Sequence, residues 1–487
     1  MIIAISTLSI VLFVVMLKKS GVIQKGRDIL SALKDVLGVF GDEDLDDLMR
    51  EKEIQKASLR MFGYFFSILL RSLFVLALAF VPIGLAGLLF SAPIDAYLDF
   101  LAQWQVILVS AVLITVWFYI TEKQKKTGDD QTNNYSVSDQ LLHTMAFSAI
   151  GLQKSATRLE SLMYGRRFQN IEIKSPIFIT SLPRAGTTLM LEVLSRFPSL
   201  ASHTYRDMPF LLTPYLWAKM SRVFQKKSEL RERAHGDGMQ VGFDSPEAFE
   251  EILWRSFWPE KYSSSGIELW TADDEKDAAD SFFTQHMKKI IALRCPDHRD
   301  TARYVSKNNA NISRLQLIAQ MFPDAVILLI LRHPLEQATS LLRQHRHFLE
   351  LHEKDPFVRQ YMRDIGHYEF GDLHRPIRFP AFAEYCGRRN PLTLNYWLGY
   401  WISAFEFVSQ FMDNLYIIPY EQTCRQGAAA LERICTTLDI PTEGQLDAIA
   451  GLFGEPSMRG ERGGCDKHVL EKAERVYNTL LQAKSIL

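Results

Sequence analysis

Ile177-Phe178-Ile179-Thr180-Ser181-Leu182-Pro183-Arg184-Ala185-Gly186-Thr187-Thr188-Leu189-Met190 reads as a buried strand, then a tight turn, then the start of an apolar helix. The turn carries one cation, one glycine and two adjacent hydroxyls. Free N–H groups at a helix start point at an anion, and the helix dipole favours negative charge there. Gly186 lets the backbone approach closely, and Thr187 and Thr188 add hydroxyl donors. Together these are the parts of a phosphate cradle.

The turn departs from the Walker pattern of nucleotide hydrolases. That pattern needs Gly where Ser181 sits and Lys where Thr187 sits. The cation stands instead at Arg184, and no Lys follows the glycine to hold β- and γ-phosphates. A second segment, Phe322-Pro323-Asp324-Ala325-Val326-Ile327-Leu328-Leu329-Ile330-Leu331-Arg332-His333-Pro334, is another apolar strand ending in Arg-x-Pro. A helix starting near Pro334 places Ser340 about two turns in. Arg332 then lies at the strand's carboxyl end, the edge where open α/β sheets bind ligands, and an Arg and a Ser converging there can hold a second phosphate.

Two phosphate sites on one sheet without a Walker Lys resemble the sulfotransferase family, whose members use 3′-phosphoadenosine 5′-phosphosulfate (PAPS). The resemblance runs from about Ser175 to Arg462. Pro183-Arg184-Ala185-Gly186-Thr187-Thr188 is similar to the 5′-phosphosulfate loop, in the Arg version of tyrosylprotein sulfotransferases and bacterial relatives. Arg332 and Ser340 match the 3′-phosphate pair, and Ser306-Lys307-Asn308-Asn309-Ala310-Asn311 resembles the segment between. The resemblance implies that Arg184 and Lys307 act as catalytic cations, Lys307 on the leaving oxygen. It also places Arg459 and Arg462, in Arg459-Gly460-Glu461-Arg462-Gly463-Gly464, over the 3′-phosphate. Tyrosylprotein-type relatives place a Glu before an Arg some twenty residues after the loop. Here the matching Ser202-His203-Thr204-Tyr205-Arg206-Asp207-Met208-Pro209 has no such Glu, so Asp207 and His203 are the available bases. Asp207 is the first choice because it can orient against Arg206; a purely structural Asp207–Arg206 pair is the competing reading. Asp244-Ser245-Pro246-Glu247 reads most simply as a helix N-cap. His345 and His347 face either the acceptor or solvent, and Trp254, Trp258 and Trp270 line an acceptor cleft or, more simply, pack the core.

Formal net charge is −1 over 487 residues, which argues against nucleic acid as a partner. Five scattered cysteines without C-x-x-C suit inert thiols in a reducing compartment, and no metal motif such as H-E-x-x-H occurs. Three segments, about 1–17, 72–90 and 104–120, are apolar enough to span a bilayer, which needs roughly 20 such residues. Lys18, Lys19, Lys25 and Arg27 follow the first, Arg60 and Arg71 precede the second, and Lys123, Lys125 and Lys126 follow the third. The loop between the second and third has Asp95 and Asp99 but no Lys or Arg, so the positive-inside rule puts everything after Thr121 in the cytosol.

The expectation is an α/β protein: a P-loop-like three-layer sandwich on a central parallel sheet, preceded by an α-helical transmembrane region. Residues 1–121 form the membrane region, 122–140 a linker, and 141–487 the sulfotransferase domain. The expected strands are 177–180, 325–331 and 415–419, with a helix over 141–164. The implied protein sits in a bacterial inner membrane with its catalytic domain in the cytoplasm. It uses PAPS without a metal, and acts on a hydroxyl or amine of a glycan, glycolipid or lipid-linked molecule. A P-loop kinase or nucleotidase, and a non-catalytic scaffold that keeps the fold, are the alternatives.

Overall fold

The computed structural model describes residues 2–22, 47–90, 150–221, 231–232, 240–242, 244–442, 444–456, 465–482 and 485–486, with isolated positions at 25, 28, 96, 97, 99, 100, 103, 143, 146 and 147. The chain divides into two compact units, Met1–Gln131 and Thr132–Leu487.

In the first unit, helix α1 (Ile2–Lys19) packs against α2 (Asp47–Phe90). Within α2 the stretch Phe62–Leu88 is long and apolar enough to cross a membrane; in α1 the apolar part, Ile5–Leu17, is shorter. The apolar stretch of α2 begins ten residues before the expected 72, and so it encloses Arg71 rather than following it. Arg71 donates to the carbonyl of Ser20 and, through Nε, to Ser67 Oγ at 3.2 Å, so its charge is met inside the helix pair. The expected third span, 104–120, and the linker 122–140 lie outside the described residues.

The second unit is built on five parallel strands: β1 (Ile177–Thr180), β2 (Leu200–Ala201), β3 (Arg303–Lys307), β4 (Val326–Leu331) and β5 (Leu415–Pro419). Their order is β2-β3-β1-β4-β5. Ile179 of β1 lies opposite Lys307 of β3 on one side and Leu328 of β4 on the other. Both sheet faces are covered. Ile177, Ile179, Val305, Leu328 and Ile330 pack into one core layer, and Phe178, Tyr304, Ile327, Leu329 and Leu331 into the other. A sheet buried on both faces reads as near-continuous apolar sequence, which is why β1, β4 and β5 are visible as runs.

Helix α3 (Ile150–Tyr164) precedes the sheet, α4 (Thr187–Leu194) follows β1, α5 (Glu250–Phe257) and α6 (Asp277–Arg294) lead to β3, and α7 (Leu315–Met321) leads to β4. Helix α8 (Pro334–Lys354) leaves β4, and α9 (Leu394–Val408) packs on it. Pro334 sits in the first turn of α8, where its missing N–H costs no hydrogen bond and its fixed φ suits the helix. The connections from β1 run first towards β2 and β3, then cross back to β4 and β5. The carboxyl end of β1 is therefore a point where strand order reverses, the crevice in which open α/β sheets take ligands.

Candidate functional site

The chain leaves β1 through a turn with unusual backbone. Arg184 has φ +66° and Gly186 φ +100°. A positive φ is strained for a residue with a side chain and easy for glycine, so Arg184 stores strain where the sequence places the anion site. A Cβ on Gly186 would overlap the ring of Tyr420. Gly186 is the N-cap of α4, and the first N–H groups of the helix have no intrahelical acceptor. Ala185 is fully buried, and Leu182 and Pro183 turn their carbonyls towards α8, where both accept from Gln337 Nε2 at 3.0 Å. Gln337 is fixed in turn by Trp401 Nε1, which donates to its Oε1 at 2.9 Å.

The second anion segment meets the first directly. Arg332 Nη1 donates to the carbonyl of Arg184 at 2.7 Å, and Arg184 Nε donates to Ser340 Oγ at 3.2 Å. The Arg332 guanidinium lies 5.0 Å from the centre of the Tyr420 ring, the same ring that fills the space beside Gly186. Arg184, Gly186, Thr188 and Arg332 stay partly open to solvent, while Thr187 and Ser340 are buried behind them.

The third segment closes the other flank. The Asn308 N–H donates to the Ile179 carbonyl at 3.0 Å, continuing the β1–β3 pairing past Lys307. Thr187 Oγ1 donates to Asn309 Oδ1 at 3.0 Å, so the loop threonine and the Lys307 segment are tied side by side. Asn308 Nδ2 donates to Glu251 at 2.7 Å, and Arg314 forks onto the same carboxylate. Arg314 is itself fully buried between Trp254 and Trp270, 4.7 and 4.2 Å from their ring centres. These tryptophans and Trp258 are core residues, which answers the cleft-or-core question in favour of the core.

The two sequence candidates for the base are placed differently from expectation. Arg206 pairs with Asp244, through Nη2 at 2.7 Å, and not with Asp207. Asp207 is 2% exposed and closes a capping box with Thr204. Its carboxylate takes the Thr204 N–H at 3.0 Å, His203 Nδ1 at 3.1 Å and the guanidinium of Arg294. Burial works to raise this carboxyl, but Arg294 and His203 hold it well below the usual carboxylate range. His203 is 3% exposed, and its other nitrogen lies 2.8 Å from His286 Nε2. Both residues are thus consumed in a buried network anchored on α6, 80 and more residues away in sequence. Asp244, read as part of a helix cap, serves Arg206 instead, and α5 begins later, at Glu250.

His345 is buried and accepts the Gly371 N–H at 3.2 Å; burial pushes its pKa down to about 4. His347 lies on the exposed side of α8. Arg459 and Arg462 lie outside the described residues. Sequence reading missed His367 and Glu369, single residues in the loop before Gly371 with no motif around them. Asn309 Nδ2 donates to Glu369 Oε1 at 3.3 Å, and His367 Nδ1 lies 2.7 Å from Glu369 Oε2. Among the described residues no group of three metal-ligating side chains occurs.

A comparison with curated proteins finds no match. Among solved structures the chain is similar to the sulfotransferase STF9 from Mycobacterium avium, at 12% identity and TM-score 0.41, covering 68% of this chain and 82% of that one. It is similar to the sulfotransferase STF1 from Mycobacterium tuberculosis at 12% identity and TM-score 0.37, covering 66% and 81%. The sulfotransferase domain of the Synechococcus olefin synthase gives 14% identity and TM-score 0.28, covering 64% and 98%. A family profile described as "Sulfotransferase family" matches residues 176–375, the span that holds the strained loop, Lys307, Arg332 and Ser340. Over that span the chain is similar to the sulfotransferase family, whose members are enzymes of sulfuryl transfer.

Proposed function

We propose that the protein is a membrane-anchored enzyme that moves the sulfuryl group of PAPS to a hydroxyl or amine on a glycan or lipid-linked acceptor. The observation that carries the reading is the joining of the two anion segments, Arg332 on the Arg184 carbonyl and Arg184 on Ser340. One nucleotide with a charged group at each end fits such a paired site. The N–H groups at the start of α4, those of Thr187 and Thr188 among them, receive the 5′-phosphosulfate. Arg332 and Ser340 receive the 3′-phosphate. A guanidinium forks onto tetrahedral oxyanions, which suits Arg184 to the phosphosulfate. Lys307, at the end of β3, offsets the charge that grows on the bridging oxygen as the S–O bond breaks.

The anchor in this reading is α2. Its Phe62–Leu88 stretch turns large apolar side chains outward, Leu70 at 66% and Leu88 at 81% exposure among them, and lipid is the solvent that suits them. An anchored domain works beside headgroups, which favours a lipid-linked or glycolipid acceptor. The charge pattern of the sequence supports a cytoplasmic domain, where PAPS is available.

The test is thermal. Adenosine 3′,5′-bisphosphate and ATP–Mg²⁺ are titrated separately into the detergent-solubilised protein, and melting is followed. A ligand that binds only the native state raises the melting temperature. The bisphosphate is expected to do so, and Arg332→Ala to abolish the shift. A shift with ATP–Mg²⁺ alone would point to a kinase or nucleotidase, and no shift with either to a scaffold.

A further inference from the structure

We propose that His367 is the base that removes the acceptor's proton, and that Glu369 is the positioning residue that orients it. The proposal rests on the sulfotransferase reading above. A continuous set of contacts leads to the pair from the anion loop: Thr187 Oγ1 to Asn309 Oδ1 at 3.0 Å, Asn309 Nδ2 to Glu369 Oε1 at 3.3 Å, and Glu369 Oε2 to His367 Nδ1 at 2.7 Å. One carboxylate oxygen thus accepts a hydrogen bond from the segment tied to the loop, and the other lies at ion-pair distance from the imidazole.

The surroundings suit a base. The His367 and Glu369 side chains are 19% and 24% exposed, whereas His345 and His352 are 5% exposed and Asp207 and His203 are closed inside the fold. The His367 ring is seated against Phe348 and Phe370, with ring centres 6.0 and 6.3 Å away. The segment is bounded by Gly366 and Gly371, both in the left-handed region at φ +80° and +69°. Among the described residues, the charged and titratable groups around the imidazole include Glu369, His352 on α8, Lys307 at the end of β3, and Arg255 and Glu251 of α5, which both pack on Gly366. Burial works to raise the Glu369 carboxyl, but His367 and then Lys307 hold it down at about 2, so it stays anionic at neutral pH.

The step balances without another reactant. The acceptor oxygen forms a bond to sulfur, and the bond from sulfur to the bridging oxygen breaks. That oxygen keeps the electron pair on adenosine 3′,5′-bisphosphate, beside Lys307. The acceptor's proton passes to Nε2 of His367, the nitrogen turned away from Glu369. The carboxylate keeps the proton on Nδ1 and stabilises the imidazolium that forms, the part a carboxylate plays behind a catalytic histidine.

The experiment uses the full-length protein in detergent, PAPS as donor and octyl β-D-glucoside as probe acceptor, with release of adenosine 3′,5′-bisphosphate as readout. His367→Gln is expected to lower turnover about 10²- to 10⁴-fold, with the melting shift given by the bisphosphate unchanged. Imidazole added to His367→Ala should restore part of the turnover. Glu369→Gln is expected to lower turnover about 10- to 100-fold. The loss should fall on kcat with KM for PAPS unchanged, and Glu369→Asp should recover part of it. Undiminished turnover in His367→Gln, or an unchanged kcat in Glu369→Gln, overturns the proposal. Absence of any bisphosphate shift in the unmodified protein would instead sink the sulfotransferase reading, so the two failures are distinguishable.

Discussion

Gly186 has two reasons to be glycine, a left-handed backbone and a ring where its side chain would be. Gly186→Ala is therefore expected to destabilise the protein by about 1–3 kcal/mol, read as a lower urea midpoint, and to weaken bisphosphate binding because α4 can no longer begin in register. Arg332 is likewise bound to its type. It holds the Arg184 carbonyl, stacks on Tyr420 and, on the proposed function, takes a phosphate, and only a planar fork does all three. Arg332→Lys should keep the fold yet lose about tenfold or more in bisphosphate affinity, since hydrogen bonds to charged groups contribute about 1.5–3 kcal/mol each. Isothermal titration would measure it. A lysine that binds as well as the arginine would mean that Arg332 acts only as a point charge.

At the scale of elements, α3 is held to α6 by a buried ion pair, Lys289 to Glu160 at 2.6 Å, with exposures of 2% and 0%. Glu160 also accepts the Leu216 N–H at 2.8 Å. Removing one partner leaves the other charge stranded, so Lys289→Ala is expected to cost about 3–5 kcal/mol, while Lys289→Ala with Glu160→Gln costs less than the single change. Equal melting points for the single and double variants would refute that coupling. Elements also differ in how legible they are. Strands β1, β4 and β5 are runs of apolar residues, and their limits can be read from the chain, as can the start of α8 at Pro334. Strand β2 has two residues, and β3 reads Arg-Tyr-Val-Ser-Lys, too polar for a buried strand until Ser306 is seen donating to Glu250. The anion segments are legible because each is local in sequence. The partners of Asp207 are not, because Arg294 lies 87 residues away, and local charge pairing suggests Arg206 instead. The His367–Glu369 pair escapes for the same reason: its meaning comes from Asn309, 60 residues earlier.

For the whole molecule, pH acts through histidines that must stay neutral. Burial brings His345 and His374 down to about 4, from an unfolded value near 6.5. A group with a depressed folded pKa contributes stability that is complete above its unfolded value and is lost as pH falls towards its folded one. Melting temperature should therefore decline between about pH 6.5 and 4, and Asp207, held still lower, adds a loss below about pH 4. His345→Gln should flatten the first part of that decline; an unchanged slope would exonerate His345. The proposed membrane orientation is open to a chemical test as well. Cys295, Cys386, Cys424 and Cys435 are buried and Cys465 is partly exposed, so a membrane-impermeant maleimide should label chiefly Cys465, and only after spheroplasts are lysed. Finally, because Arg332 grips the loop that carries Arg184, the two halves of the proposed nucleotide site form a single clamp. A clamp of this kind rewards bivalent ligands out of proportion to monovalent ones. On the proposed function the spent donor keeps both charged ends, so its departure, rather than chemistry, becomes the natural bottleneck of turnover, and AMP becomes a poor competitor.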